Sequence, residues 1–148
     1  MRVVVQRVKS SSVKVNEEIV GSIDKGLLVL VGFTHDDNID KIKWMVNKII
    51  NLRVFDDENG IMNKSVCDIG GSVLSVSQFT LYADSNKGNR PSYINAMNQE
   101  EASKLYDIFN KELSDKINTQ TGIFRADMQV ELINDGPITI ILDSKELF

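Results

Sequence analysis

The 148-residue chain has few of the residues from which many enzyme sites are built: one cysteine, one histidine and two prolines. With Cys67 alone, no intrachain disulfide can form and no multi-cysteine metal site can be assembled. Because the sequence has no set of histidine, cysteine or clustered carboxylate ligands, we predict that it binds no metal. We likewise expect no cofactor.

Long apolar runs are also missing, since none approaches the roughly 18 residues that a membrane-spanning helix needs. The opening residues lack the basic and apolar segments of a secretory signal, so we expect a cytoplasmic location. The hydrophobic fraction of 42% and the charged fraction of 26% are ordinary for a globular protein. The length predicts one domain over residues 1–148.

Positive charge is in the minority, with a net charge of −4 at pH 7. This argues against indiscriminate binding of polyanions, because phosphate contacts depend on clustered Lys and Arg. A local basic patch is still compatible with the sequence. Lys87 and Arg90, separated by a turn at Gly88 and Asn89, are candidates for contacts with nucleic acid. The alternative is an ordinary solvated loop.

Apolar runs predict many strands. We expect a hairpin that contains the β-rich opening and residues 12–15, followed by a strand at 19–23. A central strand at 27–31 is predicted to be buried on both faces, and further strands are predicted at 52–55 and 73–77. Residues 56–60 are predicted to form a turn. Residues 128–133 and 138–142 are predicted as terminal strands joined by a turn at 134–136.

Two helical patterns complete the secondary structure. The first is capped within residues 36–38 and places apolar residues at 39, 42, 46 and 49, and the second begins at Asn98 and ends near Asn118. Many strands with only two main helices predict an α+β domain, a curved, barrel-like sheet with the helices packed on one side.

Two segments interrupt strand-like runs with polar or backbone-bending residues: Ser77-Gln78-Phe79-Thr80 and Asn134-Asp135-Gly136-Pro137. Where a strand ends, backbone N–H groups leave the ladder and can bind an oxyanion. Our candidates for this role are the N–H groups of Phe79 and Thr80. The alternative is a polar strand end bonded to its own loop. Thr80 as a nucleophile would need an adjacent base, and the chain offers few.

Three other polar residues have simpler interpretations. His35, beside Asp36 and Asp37, is predicted to be a surface residue capping a helix. Paired with Cys67 it would make a thiol hydrolase, but neither residue lies in a known cysteine-hydrolase motif. Arg7 shares its strand face with apolar residues, where a guanidinium needs acceptors, unless it lies at the surface.

The two interrupting segments resemble the signature motifs of the D-aminoacyl-tRNA deacylases. The resemblance extends to the opening eight residues, to 26–32, to Lys87-Gly88-Asn89-Arg90-Pro91-Ser92 and to Ala126-Asp127-Met128-Gln129. It implies a homodimer with a barrel-like fold and active sites at the subunit interface. The implied reaction is hydrolysis of the ester bond of D-aminoacyl-tRNA to free D-amino acid and tRNA, a chiral proofreading step in translation.

The resemblance also implies roles for individual residues. The catalytic segment comprises Ser77, Gln78, Phe79 and Thr80, and the free hydroxyl of the terminal ribose of the tRNA helps to activate water. Such substrate assistance explains the missing protein base. Lys87 and Arg90 are expected to contact the tRNA.

The resemblance implies that selection of D- over L-aminoacyl-tRNA depends on Gly136 and Pro137. Most X-Pro bonds are trans, but the resemblance implies a cis bond that enters the partner subunit's active site, where its carbonyl oxygens exclude an L side chain. Arg7 is implied to brace this segment and Met128 to line the pocket, although a strand methionine is more often plain core. Achiral glycine would escape rejection, so glycyl-tRNA, including glycine mischarged on alanine tRNA, is expected as a side substrate.

Two positions depart from the family pattern: Arg125 stands where glycine is more usual, and Asn89 replaces a common basic residue. Two other functions remain alternatives. One is a nucleic-acid-binding module without turnover, resting on Lys87 and Arg90. The other is a related deacylase acting on L-alanyl-tRNA, expected if the bond between Gly136 and Pro137 were trans.

Overall fold

A computed structural model describes residues 1–147 of the chain. A 3₁₀ turn spans Phe79–Tyr82. None of the helices in residues 1–147 is long and apolar enough to cross a membrane. The strands and helices of this part of the chain are β1 Arg2–Val15, β2 Glu18–Ile23, β3 Gly26–Gly32, α1 Ile39–Asn51, β4 Phe55–Asp56, β5 Met62–Lys64, β6 Ser72–Ser77, α2 Gln99–Ser114, β7 Thr119–Thr121, β8 Gln129–Asp143 and the short α3 Ser144–Leu147.

β1 organises the main sheet because it pairs with three other strands. It runs antiparallel to β8 over most of its length, to β3 through residues 2–8 and to β2 through residues 11–15. β6 is parallel to β3, and β7 is parallel to β6. A Cβ on Gly21 of β2 would lie 2.7 Å from the backbone oxygen of Thr121 in β7. The two ends of the sheet therefore meet, and the sheet forms a nearly closed barrel.

The core has two parts, one on each face of β3. Leu27, Val29 and Val31 pack with both long helices, whereas Leu28 and Leu30 face the barrel interior with Val8, Val13 and Leu74. This alternation follows the two-residue period of a strand. The predicted burial of β3 on both faces is confirmed, and so is the α+β barrel-like sheet with two main helices packed on one side.

Both long helices begin where the sequence predicts. The side chains of Asn38 and Asn98 accept hydrogen bonds from the backbone N–H groups of Lys41 and Glu101, each at 3.0 Å, which satisfies one of the unpaired donors at each helix start. α2 ends at Ser114 rather than near Asn118. The chain has to leave the helix there because the Asn118 carbonyl accepts from the Val73 N–H at the edge of the sheet, at 2.9 Å.

The prediction of two terminal strands joined by a turn is wrong. β8 is one strand, and both of its halves pair with β1. Thr139 lies opposite Gln6 and Asn134 opposite Val8, so β8 advances five residues where β1 advances two. Residues 135–138 therefore bulge out of the strand pair. The turn-forming residues bend the backbone as expected, but within a ladder that continues on both sides.

The predicted strand at residues 52–55 is also largely wrong. Leu52 ends α1, with its N–H bonded to the Ile49 carbonyl, and only Phe55–Asp56 pairs with β5. The apolar residues Val54 and Phe55 are buried against the helices, which explains their hydrophobicity without a long strand. The turn predicted over residues 56–60 is confirmed. It connects β4 and β5, and the Gly60 N–H donates to the Asp57 carbonyl.

Replacing Gly21 by alanine should lower the free energy of unfolding by about 1–3 kcal/mol. The added Cβ would overlap the Thr121 oxygen and lie 3.2 Å from the Leu74 side chain. Urea denaturation measures the effect, and Ser22→Ala, at the exposed next position of β2, is the control. An unchanged midpoint for Gly21→Ala would contradict close contact between β2 and β7.

Candidate active site

A cavity of about 440 Å³ lies at the carboxyl ends of the parallel strands β3 and β6. Residues 31–33 and 76–79 form one side, and Met97, the start of α2 and residues 124–126, 128 and 130 contribute the rest. The wall is mainly apolar, and Arg125 is the one charged residue among those that line it. A Cβ on Gly32 would lie 2.8 Å from the Gln78 carbonyl oxygen. Glycine at 32 therefore lets the segment after β6 close over the end of β3.

The segment at residues 77–80 leaves two backbone donors free. β6 ends at Ser77, and the Gln78 N–H still bonds to the Val31 carbonyl at 2.7 Å. The 3₁₀ turn begins at the next residue, and the N–H groups of Phe79 and Thr80 find no partner within residues 1–147. The first N–H groups of any helix have no carbonyl within the helix to bond. Ser77, Gln78 and Phe79 line the cavity.

Thr80 lies at the edge of the site and does not line the cavity. Its side chain is exposed, and within residues 1–147 its hydroxyl has the Gln78 side-chain amide as its only hydrogen-bond partner. An amide N–H donates and cannot remove a proton. The geometry therefore gives the Thr80 hydroxyl no base, which disfavours it as a nucleophile.

Met128 lines the cavity, as the sequence analysis implied, and Arg125 lies in the same wall. A Cβ on Gly122 would lie 2.6 Å from the Met128 sulfur, so glycine makes room for this side chain. Arg125 has a positive φ of 68°. Residues other than glycine and asparagine seldom adopt this conformation.

Gly136 and Pro137 lie outside the cavity of their own chain. They are exposed in the bulge of β8, and the bond between them is cis. The Asn134 side chain bridges the bulge, since its Oδ1 accepts from the Ile138 N–H at 3.0 Å and its Nδ2 donates to the Ile138 carbonyl at 3.2 Å. A segment tied in this way projects from the sheet in a defined conformation.

The buried side chain of Arg7 supports the base of the bulge. This side chain is 10% exposed, its Nη1 donates to the Val54 carbonyl at 2.8 Å, and its Nε donates to the Asp135 carbonyl at 3.2 Å. The carboxylates of Asp135 and Asp56 lie 3.3 Å and 3.6 Å from the guanidinium. A buried cation needs acceptors of this kind, and these connect β1 to both the bulge and the segment after α1.

Lys87 and Arg90 lie on an exposed loop next to the cavity, not in it. Two backbone hydrogen bonds of 2.8 Å between Asp84 and Ser92 close the loop. The loop is connected to the site through an edge-on contact of the Phe79 and Tyr93 rings, whose centroids lie 5.0 Å apart. The loop that carries the basic pair is therefore connected at its base to the segment at residues 77–80.

His35 is exposed as predicted, but it does not cap α1: Asn38 does, and the His35 ring Nε2 lies 2.7 Å from the Ile94 carbonyl.

Partial desolvation, followed by the charge of Asp68, raises the pKa of the Cys67 thiol. This lowers the reactive thiolate fraction and gives no support to a thiol hydrolase. Within residues 1–147 no group of three or more His, Cys, Asp and Glu side chains is arranged to hold a metal ion.

Several residues of the site were not predicted from the sequence. Phe124 and Gln99 line the cavity, and Asn134 and Val54 complete the support of the bulge. Phe124 lies next to a family motif and could have been included on that ground. No local pattern distinguishes Gln99 or the Val54 carbonyl, because their roles depend on contacts between distant segments.

The chain is similar to known proteins over nearly its whole length. The family model for D-Tyr-tRNA(Tyr) deacylase matches residues 4–143. A solved structure described as c-Myc DNA Unwinding Element Binding Protein is 43% identical, with 97% of this chain and 99% of that chain covered and a TM-score of 0.93. A second, described as a probable eukaryotic D-amino acid tRNA deacylase, is 17% identical, with 95% and 97% covered and a TM-score of 0.83.

The second of these structures is too distant in sequence to indicate more than a shared fold, whereas the family match spans nearly the whole chain. That match includes both interrupting segments, the cavity wall and the bulge of β8. The chain therefore belongs to the D-Tyr-tRNA(Tyr) deacylase family and is a deacylase, a hydrolase acting on D-aminoacyl-tRNA.

Proposed function

We propose that two copies of this chain form a cytoplasmic homodimer that hydrolyses the ester bond of D-aminoacyl-tRNA and rejects L-aminoacyl-tRNA through Gly136 and Pro137. The observation that carries the proposal is the pair of unpartnered N–H groups at Phe79 and Thr80, beside a cavity at the strand ends. The products are free D-amino acid and tRNA. Neither a metal nor a cofactor takes part.

The proposed chemistry is stabilisation of a tetrahedral intermediate. Water attacks the ester carbonyl, and the developing negative charge on its oxygen is met by the N–H groups of Phe79 and Thr80. Preorganised donors of this kind contribute about 3–4 kcal/mol each to the lowering of the barrier. The free hydroxyl of the terminal ribose helps to activate the water. Ser77 and Gln78 shape the strand end and position the donors.

Chiral selection in this proposal uses the bulge of β8. The bulge is exposed and lies outside its own cavity, which is the arrangement expected if it enters the site of the second subunit. Ile133 and Ile141, at 56% and 66% exposure on the same strand, provide apolar area for such an interface. Carbonyl oxygens facing the substrate α-carbon then leave room for hydrogen but not for an L side chain. Glycyl-tRNA, including glycine mischarged on alanine tRNA, passes this filter.

Support for the selecting segment comes from Arg7, whose bonds to Asp135 hold the bulge, while Met128 lines the pocket that the substrate enters. Lys87 and Arg90 contact the tRNA backbone next to the site, where their charge faces phosphates rather than bases.

A second candidate function is binding of nucleic acid without turnover. The structure with 43% identity is described as a protein that binds a DNA unwinding element, and Lys87 and Arg90 provide an exposed basic pair here. Catalytic turnover separates the two candidates, because a binding module releases no amino acid.

Release of amino acid from D-tyrosyl-tRNA and L-tyrosyl-tRNA, at substoichiometric protein and with a chelator present, tests the proposal. We expect multiple turnovers on the D ester and on glycyl-tRNA, with no acceleration on the L ester. Hydrolysis of neither tyrosyl ester, combined with DNA binding, would favour the binding module. Equal hydrolysis of both would refute the role of Gly136 and Pro137.

Gly136→Ala should reduce the D-to-L selectivity roughly tenfold or more, equivalent to about 1.4 kcal/mol. Gly136 has a φ of +124°, and a Cβ there would lie 2.8 Å from the Ile138 side chain and 3.3 Å from the Arg7 guanidinium, so the segment has to move. Gly60→Ala, also at a positive φ but with no neighbour within 4 Å, is the control and should keep its selectivity. Unaltered selectivity in Gly136→Ala would contradict the proposed filter.

Two substitutions at Thr80 separate the hydroxyl from the backbone donor. Thr80→Ala keeps the N–H, and its kcat/KM should stay within about tenfold of the parent value, whereas loss of a nucleophile would cost several orders of magnitude. Thr80→Pro lacks the N–H and should lose roughly 100- to 1000-fold in kcat. Thermal unfolding shows whether the turn survives. The reverse order of activities would assign catalysis to the hydroxyl.

A further inference from the structure

Arg125 has a backbone conformation that few residues other than glycine adopt. Within residues 1–147, positive φ values at residues other than glycine occur at Asn16, Glu17 and Arg125. Asn16 and Glu17 form the two-residue hairpin between β1 and β2, where a turn matching the strand twist requires φ > 0. Arg125 lies instead in a turn between β7 and β8, in which the Ala126 N–H donates to the Ile123 carbonyl at 3.2 Å. It occupies the third position of this turn, where a type II turn requires a positive φ and usually has glycine.

The guanidinium of Arg125 is also free of protein partners. Arg2 donates to the Leu81 carbonyl and to Asp143, and Arg7 donates to the Val54 and Asp135 carbonyls. Arg125 forms no hydrogen bond and no ion pair within residues 1–147. A guanidinium offers five N–H donors in a planar fork, and an anion with paired oxygens matches this geometry.

The location of Arg125 connects these two facts to the site. Its side chain is exposed and lines the cavity that also holds Ser77, Gln78 and Phe79, and every other residue lining that cavity is uncharged. An otherwise neutral, mainly apolar cavity with one cation in its wall fits a ligand with one anionic group beside a less polar body.

We infer that Arg125 binds the phosphodiester group attached to the terminal nucleoside of the aminoacyl-tRNA, and so holds the ester over the N–H groups of Phe79 and Thr80. This inference rests on the proposed function. In such a substrate the anion nearest to the ester is the phosphate on the 5′ carbon of the same ribose. A bidentate contact from a planar guanidinium fixes orientation as well as position. Arg125 is thus a substrate-binding residue and does not take part in bond breaking.

The test compares D-tyrosyl-tRNA with the D-tyrosyl ester of adenosine, which keeps the reacting ester and lacks the phosphate. Arg125→Gly and Arg125→Gln should raise KM for the tRNA roughly tenfold or more, since hydrogen bonds to charged groups are lost. kcat should stay within about twofold. Neither variant should change KM for the adenosine ester. The salt dependence of log KM should become shallower by about 0.7 for the tRNA substrate.

Three further measurements guard against a structural explanation. Glycine adopts a φ of +68° without strain, so Arg125→Gly should raise the melting temperature while weakening substrate binding, which misfolding cannot produce. Arg125→Lys should recover part of the KM loss. Arg53→Gln, which removes an exposed arginine that does not line the cavity, should leave both substrates unaffected.

Each contrary outcome has a distinct meaning. Unchanged KM for the tRNA in Arg125→Gly, with D-specific turnover intact, would overturn this inference and leave the proposed function standing. An equal loss on both substrates would place Arg125 on the ester instead of the phosphate. A loss confined to D-aspartyl-tRNA would assign it to an acidic side chain. If the parent protein hydrolysed neither substrate, the proposed function would fail and this inference with it.

Discussion

The buried guanidinium of Arg7 is the interaction on which the shape of the exposed bulge depends. It joins β1 to the Val54 carbonyl, after α1, and to Asp135, in the bulge of β8. Removing the charge would leave these acceptors without their donor in a poorly hydrated place, and removing an acceptor would leave a buried cation, which is costlier still. The conformation of Gly136 and Pro137 is therefore set from inside the domain, although the two residues themselves lie at its surface.

A second constraint is the parallel pairing of β3 with β6. Because both strands end at the same edge, their last residues and the turns that follow meet there. Gly32 allows the turn after β6 to approach closely, and the bond from the Gln78 N–H to the Val31 carbonyl holds it. The hydrogen-bond ladder between β3 and β6 ends with this bond, so the N–H groups of the next two residues, Phe79 and Thr80, have no strand partner. The cavity and the free donors thus have a common origin in the end of one strand pair.

Local patterns predicted the parts of this fold that depend on local chemistry. The caps at Asn38 and Asn98, the two-sided burial of β3 and the end of β6 at Ser77 all follow from residue type and period. The bulge of β8 did not, because asparagine, aspartate and glycine favour a bend equally in a hairpin turn and in a bulge. Which of the two forms depends on the pairing of both flanking segments with β1, a long-range property. The same limit applies to Gln99 and to the Val54 carbonyl. The location of Gly136 and Pro137 outside the cavity was implied by the family resemblance, and residue spacing alone would not have suggested it.

The neutral lining of the cavity has a consequence for acid–base behaviour. Arg125 is the single ionisable residue in that lining, and arginine keeps its proton throughout the range in which proteins are stable. No side chain of the lining therefore has a protonation state to gain or lose near neutral pH. Under the proposed function, ester hydrolysis in this cavity would take its pH dependence from the substrate, through the α-amino group of the bound amino acid and the acidity of the ribose hydroxyl. The protein would then supply an environment of fixed charge in which the proton chemistry of the substrate sets the rate.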